Sequence, residues 1–206
     1  MQTHRCIDPS FRTFRARALD ERPSCIPLSK PKGAKAAGLR FERALHKSLP
    51  SSIHGQWFEF EDQDGFGYCQ TDLLIQIPRW KGDEYGLWVV IEAKYTLVPG
   101  AHSKLSSLYI PVVQAAFGCQ ACGVVIVKNL DPRYRRGRIY TDIQAAAEAS
   151  WMTGYPTLIQ WSGQALMHPA RSAVYRREAS GTSEVTSWGS QASQACIPRP
   201  TERRAG

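Results

Sequence analysis

Residues 86–95 read Gly-Leu-Trp-Val-Val-Ile-Glu-Ala-Lys-Tyr, so five apolar residues run directly into Glu92 and Lys94 with Ala93 between them. A β-branched, aromatic-rich run bounded by Gly86 and by Pro99-Gly100 predicts a buried strand. Side chains alternate along a strand, so Glu92 and Lys94 leave on one face while Val89, Ile91 and Ala93 leave on the other. Charged side chains are seldom buried without a compensating partner. A charged pair on so apolar a strand therefore requires a physical reason.

Asp72 poses the same question. It lies between Thr71 and Leu73-Leu74-Ile75, inside a stretch, residues 68–77, that reads as a second strand ending at Pro78. If the two strands pair, Asp72 and Glu92 converge at one edge of the sheet and repel each other unless a proton or a cation is shared. A hard divalent ion answers that repulsion with oxygen ligands, and Mg²⁺ suits it because it keeps several waters. A water polarised in this way attacks phosphorus. Lys94 then either orients that water or offsets the charge of the transition state, the role that needs no depressed pKa.

The surrounding pattern predicts one α/β domain. Residues 34–49 form a helix with Phe41, Ala44, Leu45 and Leu49 on its apolar face; Glu42 lies at the inward margin of that stripe and Arg43 points outward. Strands follow over 56–61, 68–77 and 87–95. A helical region spans 103–119, divided or bent at Pro111. A buried strand over 123–127, a basic loop over 129–137, a helix over 142–153 and a short strand over 156–161 complete the domain at residues 34–170. Residues 1–33 read as a basic extension with a short helix across 11–19, and residues 171–206, rich in Ser, Gly and Arg, as a disordered basic tail.

The chain of 206 residues carries a net charge of +8, and the excess sits at its ends. Residues 1–37 hold eight Lys/Arg against three Asp/Glu, and residues 171–206 hold six against three. Basic ends on a neutral core suit a polyanion such as DNA. Arg133, Arg135, Arg136 and Arg138 add a dense cationic loop fitted to phosphate contacts, and Trp80 and Tyr85 flank a charged hairpin where they could stack on an unpaired base. No apolar run is long enough to span a bilayer, and no secretory signal is evident, so no membrane role and a cytoplasmic location with six reduced cysteines are expected.

Gln70-Thr71-Asp72 followed by Glu92-Ala93-Lys94 resembles the split metal-binding signature of the PD-(D/E)XK nuclease superfamily, with Thr71 where the motif's name has proline. The resemblance covers about residues 34–127. It implies a restriction-endonuclease-like core, a mixed β-sheet flanked by helices in α-β-β-β-α-β order, and a Mg²⁺-dependent nuclease, expected to be an endonuclease, with Mn²⁺ able to substitute. The implied ligands are Asp72, Glu92, the carbonyl of Ala93 and Glu42, with Lys94 in the catalytic set. The helix that follows often faces the active site in this superfamily, which implies substrate contacts for Lys104 and Gln114. Residues 35–43 also resemble the opening helix of archaeal-type Holliday-junction resolvases, for which two cuts favour a homodimer. A nucleic-acid-binding protein on an inactive nuclease scaffold is the alternative expectation.

Overall fold

The computed structural model describes residues 14–28, 30–77, 86–98, 100–131 and 137–167. The chain begins with β1 (Arg15–Leu19), α1 (Gly33–Ser48) and the two-residue β2 (Ile53–His54). Four strands follow: β3 (Trp57–Asp62), β4 (Gly65–Gln70), β5 (Leu73–Ile77) and β6 (Leu87–Thr96). A composite helix comes next, made of α2 (Gly100–Lys104), a π-helical turn (Leu105–Tyr109) and α3 (Ile110–Phe117). The last elements are β7 (Ala121–Asn129), β8 (Ile139–Tyr140), α4 (Ile143–Thr153) and β9 (Thr157–Gln160).

The architecture is α/β. A six-stranded sheet in the order β2-β5-β6-β7-β9-β8 is mixed: β2, β5 and β6 pair antiparallel, while β6, β7, β9 and β8 run parallel. Period-two alternation divides its side chains between two cores. Leu73, Ile75, Val89, Ile91, Ala93, Val124 and Ile126 pack beneath α1 and α4. Leu74, Val90, Val125 and Val127 pack on the opposite face against the composite helix and a three-stranded sheet, β1-β3-β4. Strands buried on both faces must be almost continuously apolar, which is why β6 and β7 read as they do.

Helix α1 is anchored by Leu45 and Leu49, both fully buried, each burial contributing roughly 1.5–3 kcal/mol. Pro50 follows its last turn, where a helix cannot readily continue. At α4, the Asp142 side chain accepts the Ala145 N–H and caps the N-terminus. Gly154, at φ +70°, ends that helix in the left-handed conformation that disfavours a Cβ.

Four differences from the sequence reading have identifiable causes. The expected helix over 11–19 is, across its described part, strand β1, which pairs with β3 from Arg15↔Glu61 to Leu19↔Trp57. The alternation of inward Phe14 and Ala16 with exposed Arg15 and Arg17 serves a sheet partner some forty residues away, which overrides local helix propensity. Residues 15–19 are therefore part of the folded unit. The strand over 68–77 is two strands in different sheets, broken at Thr71-Asp72, where the Thr71 N–H donates to Gln56 O and the Gly55 N–H to Asp72 O. With β2 and this break, five strands rather than three separate α1 from α2. Pro111 lies at the start of α3, directly after the π turn, whose wider register is closed by the Ile110 N–H donating to Leu105 O; a proline, which has no N–H of its own, is tolerated in such a first turn. Among the described residues no helix is long and apolar enough to cross a membrane.

Candidate active site

Strands β5 and β6 pair with Leu73 opposite Ile91, which brings Asp72, the residue before β5, alongside Glu92. Their shared face is the one that carries Leu74 and Val90, toward the composite helix. Asp72 is held there by a directed bond: Oδ2 accepts the Ala93 N–H at 2.8 Å. The Ala93 side chain meanwhile buries in the opposite core.

Glu92 is fully buried. Neither of its oxygens accepts a hydrogen bond of acceptable geometry, although Lys94 Nζ lies 2.5 Å from Oε1 and Lys104 Nζ lies 3.5 Å from it. The carboxylate thus has neutralising charge close by but no well-directed donors. Lys94 Nζ also lies 3.7 Å from Asp72 Oδ2, so one ammonium bridges both acids. Lys104 sits in addition over the Tyr109 ring, 4.4 Å from its centroid, an arrangement that favours a cation.

Burial, then the charge of Glu92, raises the Asp72 carboxyl to about 7, with Lys94 pulling the other way. Burial also raises Glu42 to about 7; Lys94 opposes this and Glu92 reinforces it. Burial disfavours the Lys94 cation, but the charges of Asp72 and Glu92 outweigh it and its pKa is raised. Burial, then Glu92 and Asp72, likewise raises the Tyr109 hydroxyl well above its ordinary range, which places that phenol in the same field. Two acids held reluctant to ionise beside a third and a firmly charged lysine form the kind of cluster that marks functional sites.

Glu42 stands on α1 with a side chain 14% exposed, and His54 Nε2 lies 2.7 Å from its Oε1. Burial and then Arg43 lower the His54 pKa, which disfavours its charged form beside Glu42. His54 itself stacks on His46, which meets Ser52 Oγ through Nδ1 at 2.9 Å. Neither histidine was assigned a role from sequence. Strand β2 is too short to leave a periodic pattern, and His46 has the spacing of an ordinary surface residue.

The structure therefore brings together Asp72, Glu92, Lys94, Lys104 and the Ala93 backbone, with Glu42 close enough to exchange charge effects with the first three. Gln114 lies elsewhere: its amide reaches the carbonyl of Ala121, at the start of β7, 3.4 Å away and near the other end of the sheet. Arg138 is exposed beside edge strand β8, over the Tyr140 ring. Arg133, Arg135, Arg136, Trp80 and Tyr85 fall outside the described residues, as does the tail beyond residue 167.

A divalent ion would find the carboxylates of Asp72 and Glu92 side by side, with Glu42 near enough to feel their charge. The buried oxygens of Glu92 fit such an ion chemically, since a hard cation takes oxygen donors, but it would have to displace the Lys94 ammonium that now lies 2.5 Å from Oε1. Among the described residues no three His, Cys, Asp or Glu side chains stand close enough to form a ready-made cage; the Lys94 ammonium is the charge that Asp72 and Glu92 share. No family model, curated protein or solved structure matches the chain.

Proposed function

We propose that this protein is a Mg²⁺-dependent deoxyribonuclease with a restriction-endonuclease-like core, cutting phosphodiester bonds within DNA. The observation that carries the reading is Glu92: a fully buried carboxylate, its Oε2 without a hydrogen-bond partner, beside Asp72 and bridged to it by Lys94. A structural ion pair gains little from so costly a burial, whereas a cation-dependent site has use for it.

Asp72 and Glu92 would hold the ion, with the Ala93 carbonyl and Glu42 as further oxygen donors, and Mn²⁺ would serve in place of Mg²⁺. When bound, the ion supplies a polarised water and counter-charge for the phosphate. The chain's own residues do the rest. The Ala93 N–H fixes the Asp72 carboxylate in place. Lys94, displaced from Glu92, offers its ammonium to the negative charge that grows as the phosphorus is attacked. Lys104 keeps a second cation beside Glu92.

The test is a cleavage panel with Mg²⁺ or Mn²⁺ on linear, circular, single-stranded and four-way-junction DNA, with Asp72→Ala as control. Metal-dependent cutting lost in the control supports the reading; a purified protein that cuts none of these with either ion refutes it. The closing of Lys94 and Lys104 on Glu92 favours one other reading, an inactive nuclease scaffold that binds nucleic acid. That reading predicts salt-sensitive DNA binding that survives Asp72→Ala and needs no metal.

A further inference from the structure

A cleft of about 320 Å³ opens at the C-terminal ends of the parallel strands β6, β7 and β9, on the α1 side of the sheet. Crevices outside the carboxyl ends of parallel strands are habitual ligand sites in open α/β sheets. Three aromatic rings line this one. Phe41, on α1, is almost completely buried and serves as the floor. Tyr95 meets it edge-on with centroids 6.3 Å apart, and Trp161 meets it at 5.7 Å and 53°. Tyr95 remains 38% exposed.

Two exposed cations, Arg40 and Lys128, also line it, and among the described residues no acidic side chain takes part. The Lys128 ammonium lies 5.0 Å from the centre of the Tyr95 ring. Trp161 is firmly placed: its N–H donates to Val127 O at 2.8 Å, and its indole N–H to Gln164 O at 2.7 Å. Gln164 Oε1 in turn accepts the Ser162 N–H at 2.7 Å. A rigid aromatic wall, a second half-exposed ring and two unopposed cations are the chemistry of a stacked base with its phosphates.

We propose that this cleft is a subsite for an unpaired nucleotide of the DNA substrate, with Trp161 and Tyr95 taking the base and Arg40 and Lys128 the flanking phosphates. The proposal rests on the nuclease reading for the identity of its ligand, and deepens it by naming substrates with single-stranded character. Tyr95 follows Lys94 directly in β6 and leaves on the opposite face, so a strand crossing the end of β6 passes from the acidic site into the cleft.

Fluorescence anisotropy of a labelled oligothymidylate, set against an abasic strand of equal length, tests it in the full-length protein. Both titrations are run in EDTA, so that cutting plays no part. Wild-type protein should bind the base-bearing strand at least about fivefold more tightly than the abasic one. Tyr95→Ala should remove most of that preference without changing the salt dependence. Lys128→Gln should keep the preference and lower the slope of log affinity against log salt by somewhat under one unit. Equal affinity for the two strands overturns the proposal, as does a preference that Tyr95→Ala leaves intact. A retained base preference in a protein that never cuts DNA upholds the cleft and rejects the nuclease; cutting without a base preference does the reverse.

Discussion

Replacing Asp72 by Asn should make the metal-free protein more stable at alkaline pH, and the gain should disappear in acid. Asp72 is raised from 3.8 to about 7 by burial and by Glu92. Its folded-state pKa therefore lies above its unfolded value. Below about pH 4 both states are protonated and the group has no effect. Between about pH 4 and pH 7 the unfolded chain ionises while the folded protein keeps its proton, so the folded state binds more protons and its stability falls as pH rises. Each pKa unit corresponds to about 1.36 kcal/mol, so the full shift amounts to roughly 4 kcal/mol. Part of it is repulsion shared with Glu92 and Glu42, which eases when a neighbour takes up a proton, leaving an expected loss of roughly 2–3 kcal/mol. Asn preserves shape and a carbonyl oxygen for the Ala93 N–H, and it removes the charge. Urea unfolding in EDTA at half-unit steps from pH 4.5 to 8 should show wild type and variant alike in acid and diverging by that amount above pH 7. Parallel curves, or a variant less stable than wild type at pH 8, would refute the electrostatic account of the site.

Three further outcomes follow from the same geometry. Glu92→Gln keeps the shape of the side chain but takes from Lys94 and Lys104 the charge they close on, so it should lower the unfolding free energy by up to about 3–5 kcal/mol and abolish Mg²⁺-dependent cleavage; cleavage that persists in the folded variant would exclude Glu92 from the site. Lys94→Ala should lower the single-turnover cleavage rate by about 10²–10³, with a smaller effect on DNA binding measured in EDTA. Gly123→Ala should destabilise by about 1 kcal/mol in thermal unfolding, because the added Cβ would lie 3.2–3.3 Å from the rigid Pro156 ring, while Ile110 Cδ1, at 2.9 Å, can swing aside.

What could be read in the sequence divides according to how local the cause is. Glu92 and Lys94 were legible as a same-face pair because period two needs only one strand, and the structure joins them at 2.5 Å. The inward margin of Glu42 and the outward direction of Arg43 followed from the helical wheel alone, and Glu42 is largely buried while Arg43 is exposed. Strand β1 was missed because its partner β3 lies far along the chain, and a basic, alternating five-residue segment carries no sign of which sheet it will join. The His54–Glu42 contact depends on where a two-residue strand docks. The aromatic cleft was illegible because Phe41, Tyr95, Lys128 and Trp161 belong to four separate segments of the chain. Gln114 was drawn toward the site by analogy with a helix face; the described helix instead turns that amide toward the start of β7.

Asp72 sits in a different context from the continuous strand that its sequence neighbours suggest. The sequence reading put it inside a continuous strand, where its side chain would emerge from an intact ladder. In the structure the β5–β6 ladder ends at Leu73↔Ile91, and the next inward-facing amide, that of Ala93, is taken by the Asp72 carboxylate itself. A side chain thus replaces a backbone acceptor at the point where the strand breaks toward the small sheet, and that substitution aims the carboxylate at Lys94. Two effects are then joined in one residue: a hydrogen bond that favours the fold and a buried charge that opposes it. They separate in Asp72→Ala, which removes the charge but also leaves the Ala93 N–H without its acceptor, at a cost of about 1–3 kcal/mol. Neither Asp72→Ala nor Asp72→Asn carries a charge at this position, so the Ala variant should unfold more readily than the Asn variant by that amount; equal stability of the two would mean that the bond to Ala93 does not position the acid.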